Sequence, residues 1–311
     1  MSNQAPKKQR VAIDGVLLLD KPVGLSSNDA LGRAKWLLNA KKAGHTGTLD
    51  PFATGLLPLC FGEATKFSQD LLEADKTYEA VVHLGTTTAT GDTEGEITGV
   101  LPVNVTLAQI DEVLGRFTGE IAQVPPMHSA LKRDGKPLYE YARAGITLER
   151  EARNVTIHAL ELLDYRQSYM TLRVKCSKGT YIRVLGEDIG AALGCGAHLN
   201  ALRRTEVGEL TLADAQTLAV LEALPAIERS ATLASMDRLL SSFPAIMLTV
   251  ELAQRFLHGQ RLPLRREGIA LPASVGRVRV YRAADHALLG TAILSEFGLL
   301  APERLIAVKD G

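Results

Sequence analysis

The chain has 311 residues and lacks the features that assign many proteins to a class at first sight. Its three cysteines, Cys60, Cys176 and Cys195, include no Cys-x-x-Cys pair, so neither a disulfide framework nor a structural zinc site is expected. No Gly-Lys-Ser/Thr sequence closes a glycine-rich loop and no Gly-x-Gly-x-x-Gly opens a strand–helix unit, so the common nucleotide-binding motifs are absent. The histidines lack the close spacing of metal ligands. We therefore predict that the protein uses no metal and no cofactor.

A long apolar segment is also missing. The first apolar run, VLLL at residues 16–19, lies between Asp14 and Asp20 and is too short for a signal peptide or a membrane span. The unpaired cysteines fit a reducing compartment. The sequence therefore favours a cytoplasmic protein that does not bind membranes.

An excess of charge of either sign is missing as well, because 35 Lys and Arg residues balance 35 Asp and Glu residues. The charges are nevertheless unevenly distributed. Basic residues outnumber acidic ones in residues 7–42 and again in residues 255–282, whereas acidic residues dominate residues 63–120. Such segregation can build a positive surface on a neutral protein, although charges spread over solvated faces explain it equally well.

What is present is an irregular succession of strand and helix patterns. Apolar residues alternate with polar ones over residues 170–176, as in a strand with one buried face, whereas residues 182–193 carry apolar residues at helical spacing. Because strands and helices do not alternate as βαβ units, we predict an α+β fold with a mixed, largely antiparallel sheet flanked by helices.

Composition divides the chain into three parts. Residues 1–10 are predicted to be a disordered basic tail, and residues 11–243 to form a large domain. A boundary near residues 241–244 precedes one short helix pattern and two strand patterns joined by a turn. Residues 244–311 are therefore predicted to form a small, mostly β domain at the lower end of the size range for independent folding.

The most informative segment is GHTGTLDPFATGLL, residues 44–57. Its glycines and Thr-Gly steps favour a turn, and Pro51 restricts the residue before it to extended backbone. Asp50 is thus expected on a constrained, non-helical backbone with small neighbours, where a carboxylate can serve as nucleophile or general base. An aspartate beside proline and glycine also commonly caps a turn through its own backbone, so the residues alone leave both interpretations open.

Three other segments combine aromatic and basic residues. Tyr78 begins a strand pattern, Tyr181 and Arg183 enter a helix pattern, and residues 124–145 interleave tyrosines with basic residues such as Lys132. Aromatic faces stack on unpaired bases while lysine and arginine hold phosphates, so these segments suit RNA with one base turned out. Taken singly, each tyrosine is better explained by packing in a core or at its rim, but a long polar insertion is typical of a binding loop.

These segments resemble motifs of one family. GHTGTLDPFATGLL resembles the signature of the pseudouridine synthases, in particular of the bacterial TruB type, which modifies the uridine at position 55 in the T arm of tRNA. LLLDKPVGLSS, VPPMHSALKRDGKPLYEYARAG, SKGTYIRVLGEDIG and HLNALRRTEVG resemble further motifs of that family, in the same order. The resemblance implies a catalytic core over residues 11–243, an RNA-binding insertion at residues 124–145 and a PUA-like RNA-binding domain over residues 244–311.

The resemblance also implies three catalytic residues. Asp50 matches the aspartate that attacks the target nucleotide, so that the base detaches, turns and rejoins through carbon. Tyr78 matches the tyrosine that stacks on the flipped base, and it is placed to help move protons. Arg183 matches the arginine that pairs with this aspartate and keeps it ionised and correctly aimed.

Further substrate contacts are implied in the same way. His45 would occupy the gap left by the extruded bases. Tyr181 and Leu202, together with Tyr78, would line the pocket, and Lys132 would bind RNA from the insertion.

The implied partner is the T-arm stem-loop of tRNA, bound by a monomer because one face must accept a folded RNA. Two alternatives remain open at this point. One is an RNA-binding or tRNA-folding protein in which catalysis is secondary, and the other is a pseudouridine synthase that depends on a guide RNA. The insertion at residues 124–145 argues against a guide, because a self-sufficient enzyme needs its own RNA clamp.

Overall fold

The computed structural model describes residues 9–307, and strands dominate this range. The strands are β1 (Gly15–Lys21), β2 (Ala43–His45), β3 (Thr54–Phe61), β4 (Lys76–Leu84), β5 (Thr86–Thr88), β6 (Ile97–Val100), β7 (Gly119–Gln123), β8 (Lys132–Arg133), β9 (Lys136–Pro137), β10 (Arg153–Arg166), β11 (Tyr169–Cys176), β12 (Ala197–Val207), β13 (Leu210–Thr211), β14 (Gln216–Thr217), β15 (Ala245–Leu248), β16 (Leu262–Pro263), β17 (Gly276–Arg282), β18 (Ala287–Leu294) and β19 (Leu299–Leu305). The α-helices are α1 (Ser27–Leu37), α2 (Ser68–Leu72), α3 (Leu107–Arg116), α4 (Leu138–Arg143), α5 (Ile182–Ala192), α6 (Leu218–Ala223) and α7 (Val250–Leu257). Within the described range, none of them is long and apolar enough to cross a membrane.

The predicted tail at residues 1–10 lies outside the described residues except for its last two. The Gln9 carbonyl accepts a hydrogen bond from Asn39 Nδ2 at 2.9 Å, and Arg10 Nη1 donates to the Ala40 carbonyl at 3.2 Å. Residues 9 and 10 are thus fixed to the segment that follows α1.

The large domain is built on one twisted sheet with the strand order β14-β1-β3-β12-β4-β11-β10-β7. The short strand β2 pairs with β3, and β13 pairs with β12. The β1–β14 and β3–β12 pairs are parallel, whereas the remaining pairs in this sheet are antiparallel. The predicted α+β fold with a mixed, largely antiparallel sheet is therefore confirmed.

The alternating pattern of β11 explains how the sheet is covered. Met170, Leu172 and Val174 are at most 1% exposed, while the residues between them point away from the core. The helical pattern of α5 buries Leu185 and Ile189 in the same apolar core, and α5 packs on β12 and β4. Burying each such side chain contributes about 1.5–3 kcal/mol, so this face holds the start of α5 firmly against the sheet.

The insertion at residues 124–145 contains the β8–β9 hairpin followed by α4. Its basic and aromatic side chains are paired on the hairpin and the helix. Lys136 Nζ lies 4.9 Å from the centre of the Tyr141 ring, and the Arg143 guanidinium lies 5.4 Å from that of Tyr139. The insertion therefore presents cations supported by aromatic rings rather than a structureless loop.

The C-terminal domain is a separate five-stranded sheet with the order β15-β17-β18-β19-β16. Helix α7, capped at its first turn by the Thr249 hydroxyl, packs on this sheet and buries Leu252 and Phe256. The expected small, mostly β domain is thus present, and β15 opens it at Ala245.

Charged groups join the two domains. The side chain of Asp70, at the start of α2, is only 2% exposed and contacts Arg277 and Arg304 of the C-terminal domain. Arg304 Nη1 donates to the Lys66 carbonyl at 2.6 Å, and Lys66 Nζ donates to the Leu305 carbonyl at 2.8 Å. Because buried charges need partners, these contacts fix how the two domains meet.

Replacing Asp70 with alanine should lower the free energy of unfolding by about 2 kcal/mol, because Arg304 then loses its carboxylate while Arg277 keeps only that of Glu303. Urea unfolding followed by circular dichroism measures the change. Asp214→Ala is the matched control, because the Asp214 carboxylate is 53% exposed and pairs with Arg238 at the surface. We expect that control to change stability by less than about 1 kcal/mol, so equal losses for both variants would contradict the role given to Asp70.

Candidate active site

A carboxylate lies in the turn that joins β2 to β3. The turn is closed at Asp50 by a hydrogen bond from the Ala53 amide to the Asp50 carbonyl at 3.1 Å. The hydroxyl of Ser27, at the start of α1, accepts from the Leu49 amide at 2.8 Å and donates to the Leu49 carbonyl at 3.1 Å. The residue before Asp50 is therefore pinned to a helix, and the carboxylate has little freedom to move.

The end of β1 holds the other side of the same turn. Lys21 is fully buried, and its Nζ donates to the carbonyls of Pro22, Leu25 and Pro51 at 2.9, 2.7 and 3.4 Å. Burial lowers the pKa of Lys21 to about 8, although the charge of Asp50 acts in the opposite direction. Lys21 thus buttresses the Asp50 turn through backbone groups and adds positive charge behind it.

Arg183, the second residue of α5, faces Asp50. Its side chain is 4% exposed, and its Nε lies 3.0 Å from Asp50 Oδ2. Its two terminal nitrogens donate to the carbonyls of Thr90 and His128 at 2.8 and 2.6 Å. One guanidinium therefore joins the Asp50 turn, the loop before β6 and the insertion.

A second carboxylate shares Arg183 with Asp50. Asp92 Oδ2 lies 3.5 Å from Arg183 Nε, and its side chain is 3% exposed. Asp92 Oδ1 accepts from the Thr90 hydroxyl at 2.5 Å and from the Glu94 amide at 3.0 Å. Asp92 is therefore fixed by its own loop and fixes Arg183 in turn.

Burial and charge act against each other on Asp50. Burial raises the pKa of the Asp50 carboxyl above its ordinary value of 3.8, and the charge of Asp92 raises it further. Arg183 and Lys21 lower it. A carboxylate that is partly desolvated yet held by a guanidinium is poorly solvated by water and well aimed, which suits a nucleophile.

The pair borders a cavity of about 370 Å³, within the range of pockets that hold a small ligand or a single base. Five residues singled out by the sequence line it: Asp50, Tyr78, Tyr181, Arg183 and Leu202. Tyr78 comes from β4, Leu202 from β12, and Tyr181 is the residue that precedes α5. The fold therefore brings together segments that are more than one hundred residues apart in the chain.

The other two predicted site residues lie away from the cavity lining. His45 ends β2, is partly buried, and its Nδ1 accepts a long hydrogen bond of 3.4 Å from the Gly47 amide. Burial and the charge of Arg204 lower its pKa, which favours a neutral ring. Lys132 is exposed on β8 in the insertion.

The sequence alone did not indicate several residues of the site. Asp92 sits in the acidic segment TGDTEG, which looks like an ordinary solvated turn. Lys76 and Arg204 line the cavity although both are more than nine-tenths buried. For Arg204 a signal was available, since it follows Leu202 by two residues in a strand and therefore shares the buried face of Leu202.

Close backbone approach explains one glycine of the signature. Gly55 is the second residue of β3, beside β12, with φ +100°, and a Cβ placed there would lie 2.2 Å from the Arg204 carbonyl oxygen. Only glycine fits this position without moving one strand. Gly55 thus allows the Asp50 turn to sit directly beside the strand that carries Leu202.

Family models cover nearly the whole chain. Residues 35–182 match the TruB family pseudouridylate synthase N-terminal domain. Residues 183–245 match the tRNA pseudouridylate synthase B C-terminal domain, and residues 244–306 match the C-terminal model of pseudouridine synthase II TruB.

Curated relatives agree with these matches. The chain is 65% identical over 303 residues to tRNA pseudouridine synthase B of Burkholderia mallei, covering 97% of this chain and 96% of that protein. It is 63% identical over 311 residues to the protein of that name from Ralstonia nicotianae, with 98% of each chain covered.

Solved structures share the fold. A Cbf5-Nop10-Gar1 complex contains a chain that is 28% identical, with a TM-score of 0.71 over 94% of this chain and 84% of that one. An H/ACA RNP bound to a substrate RNA containing 2'-deoxyuridine contains one that is 26% identical, with a TM-score of 0.71 over 95% and 86% of the two chains.

The fold and the site, taken with these matches, define a pseudouridine synthase, an enzyme class that isomerises uridine in RNA. Within this class, the chain belongs to the TruB family of pseudouridylate synthases. The resemblance found in the sequence is therefore confirmed at the level of the family.

The close approach at Gly55 can be tested by adding one methyl group. Gly55→Ala should lower the free energy of unfolding by roughly 3 kcal/mol, because the new Cβ overlaps the backbone of β12. Thermal and urea unfolding measure the loss. Gly32→Ala in α1 is the control, since its Cβ would meet no atom within 4 Å; we expect a gain of about 0.5–1 kcal/mol there. An unchanged stability for Gly55→Ala would show that β12 yields to the methyl group.

Proposed function

We propose that this protein converts uridine to pseudouridine at position 55 in the T arm of tRNA, with Asp50 as the attacking group. The observation that supports this most directly is the ion pair between Asp50 and Arg183 at the edge of a base-sized cavity. Tyr78 and Leu202 line the same cavity. The names of the relatives, tRNA pseudouridine synthase B, support tRNA as the substrate.

The shape of the site requires a base to leave its stack. Asp50 and Arg183 lie inside a concave pocket, which a base paired within a helix cannot enter. Flipping a nucleotide costs a few kcal/mol, and stacking on the Tyr78 ring offsets part of this cost. We propose that His45, held beside the Asp50 turn as a largely neutral ring, fills the space that the base leaves.

The reaction is an isomerisation in which atoms balance without any second substrate. The N1–C1′ bond breaks, a C5–C1′ bond forms, C5 loses a proton and N1 gains one. Asp50 attacks the nucleotide, at the sugar or at the ring, and leaves again when the new carbon–carbon bond has formed. Arg183 keeps the carboxylate ionised and aimed, while Tyr78 is placed to move the proton.

The insertion supports an enzyme that needs no guide RNA. It carries the exposed cations Lys132, Arg133 and Lys136 beside its own tyrosines, so the chain itself can hold an RNA stem-loop. We propose that the protein acts as a monomer, because one face must accept a folded RNA. We expect an unmodified tRNA transcript to be modified by the purified protein alone.

Replacing Asp50 with asparagine should lower the single-turnover rate of pseudouridine formation by about 10⁴-fold or more, because the nucleophile is lost. A tritium-release assay with a T-arm stem-loop measures the rate, and filter binding should show nearly unchanged affinity. Asp111→Asn, at an exposed position on α3, is the control and should keep full activity. Activity retained by both Asp50→Asn and Asp50→Ala would disprove the assignment.

The rate should fall as the solution is acidified through the raised pKa of Asp50, since the attacking form is the carboxylate. Arg183 opposes that rise, so Arg183→Gln should move the acid limb of the pH–rate profile upward by about one pH unit or more, besides lowering the rate. Arg173→Gln is the control, because Arg173 pairs with Glu79 and Glu161 on the exposed face. An acid limb at the same pH in wild type and Arg183→Gln would contradict this electrostatic role.

A further inference from the structure

Arg204 is a buried cation without a carboxylate. Its residue is 2% exposed, and within residues 9–307 it forms no ion pair. Its Nε donates to the Leu56 carbonyl at 2.8 Å, and its Nη1 donates to the Thr48 carbonyl at 3.4 Å. Its Nη2 has no hydrogen-bond partner among the described residues, although it is buried. A free donor on a buried guanidinium is costly unless something anionic uses it.

The position of the Arg204 guanidinium indicates which anionic group could use its free donor. Arg204 lines the same cavity as Asp50 and Tyr78, and its two backbone contacts, to Thr48 and Leu56, lie on either side of the Asp50 turn. On the neighbouring strand, Arg204 of β12 stands directly opposite Tyr78 of β4. Side chains paired across two antiparallel strands project from the same face, with Cβ atoms about 5 Å apart.

The surrounding charges show why a partner is needed. The charge of Arg204 acts unfavourably on three other cationic or titratable groups, Lys21, Lys76 and His45, and lowers the pKa of each. The Asp50 carboxylate already forms an ion pair with Arg183. Two tyrosines line the cavity, and Tyr78 is the one that stands opposite Arg204, where it can become an anion beside the guanidinium. Burial raises the pKa of Tyr78, and the charges of Cys176 and Asp50 act in the same direction, whereas Arg204 lowers it.

We propose that Arg204 is a positioning residue for Tyr78. The free Nη2 of Arg204 stabilises the phenolate that Tyr78 forms while a proton is moved. This inference rests on the proposed function. In that reaction Tyr78 gives its proton to N1 of the detached ring and becomes a phenolate. After C5 has joined C1′, the C5–H bond breaks, its electron pair returns to the ring, and the proton goes to the phenolate. Tyr78 thus begins and ends as a phenol, so protons balance without a further reactant.

The phenol can be titrated without any reaction. The protein is made with 3,5-difluorotyrosine, which ionises at lower pH than tyrosine, and the resonance of residue 78 is assigned by its loss in Tyr78→Phe. In Arg204→Met, which keeps much of the side-chain volume but loses the charge, we expect the fluorine titration of residue 78 to move upward by about one pH unit or more. Arg204→Lys should recover part of the shift. An unchanged titration in Arg204→Met would overturn the inference.

The neighbouring arginine provides a matched control. Arg203 Nη1 and Nη2 lie 3.1 and 2.7 Å from the Asp20 carboxylate, and its side chain is 41% exposed. Arg203→Met should leave the titration of residue 78 where it is. Circular dichroism of every variant checks that the fold is kept.

Kinetics separate positioning from a purely structural effect. With unlabelled protein, the single-turnover rate of Arg204→Met at pH 7 should fall tenfold or more, because the phenolate that Tyr78 forms in the reaction loses its cation, whereas Arg204→Lys should recover part of the rate. A rate as low in Arg204→Lys as in Arg204→Met would overturn the inference. If wild-type protein forms no pseudouridine, the proposed function fails, while the fluorine titration still decides whether Arg204 governs Tyr78.

Discussion

The site depends on one guanidinium in a place from which water is nearly excluded. Arg183 binds Asp50, Asp92 and two backbone carbonyls, so three segments that are distant in the chain meet at a single planar group. The planar fork of arginine makes this possible, because lysine offers neither the directions nor the number of donors. Helix α5 is held against the sheet by its apolar face, which sets where Arg183 lies. The packing of the amphipathic helix α5 thereby determines how Arg183 is placed relative to Asp50.

Much of the fold follows from local patterns. The alternation in β11 and the helical spacing in α5 predicted their type and nearly their bounds, because each pattern reports one buried face. The order of strands in the sheet was not predictable in this way. It depends on pairings such as β3 with β12, between residues near 55 and 204, which no local pattern encodes.

The site was predictable where its residues belong to motifs and not where they act through position. Asp50, Tyr78 and Arg183 stand in segments that resemble motifs of the family, and the fold brings all three to one cavity. Asp92 contacts Arg183 and Arg204 lines the cavity, but their sequence surroundings resemble a polar turn and a basic strand end. Those two side chains belong to the site because they are buried beside it. Their burial depends on the tertiary packing, which the local sequence does not encode.

Gly55 shows that residues of one signature segment can be needed for two different reasons, reactivity and backbone packing. In the proposed reaction Asp50 is the attacking group, whereas Gly55 is present because the backbone of β12 leaves no room for a methyl group. A related chain that kept Gly55 and lost Asp50 would still fold around the same turn and would still be found by a search with this segment. A match to GHTGTLDPFATGLL therefore indicates the backbone conformation of this turn. The presence of its single carboxylate must be checked separately before an activity is assigned.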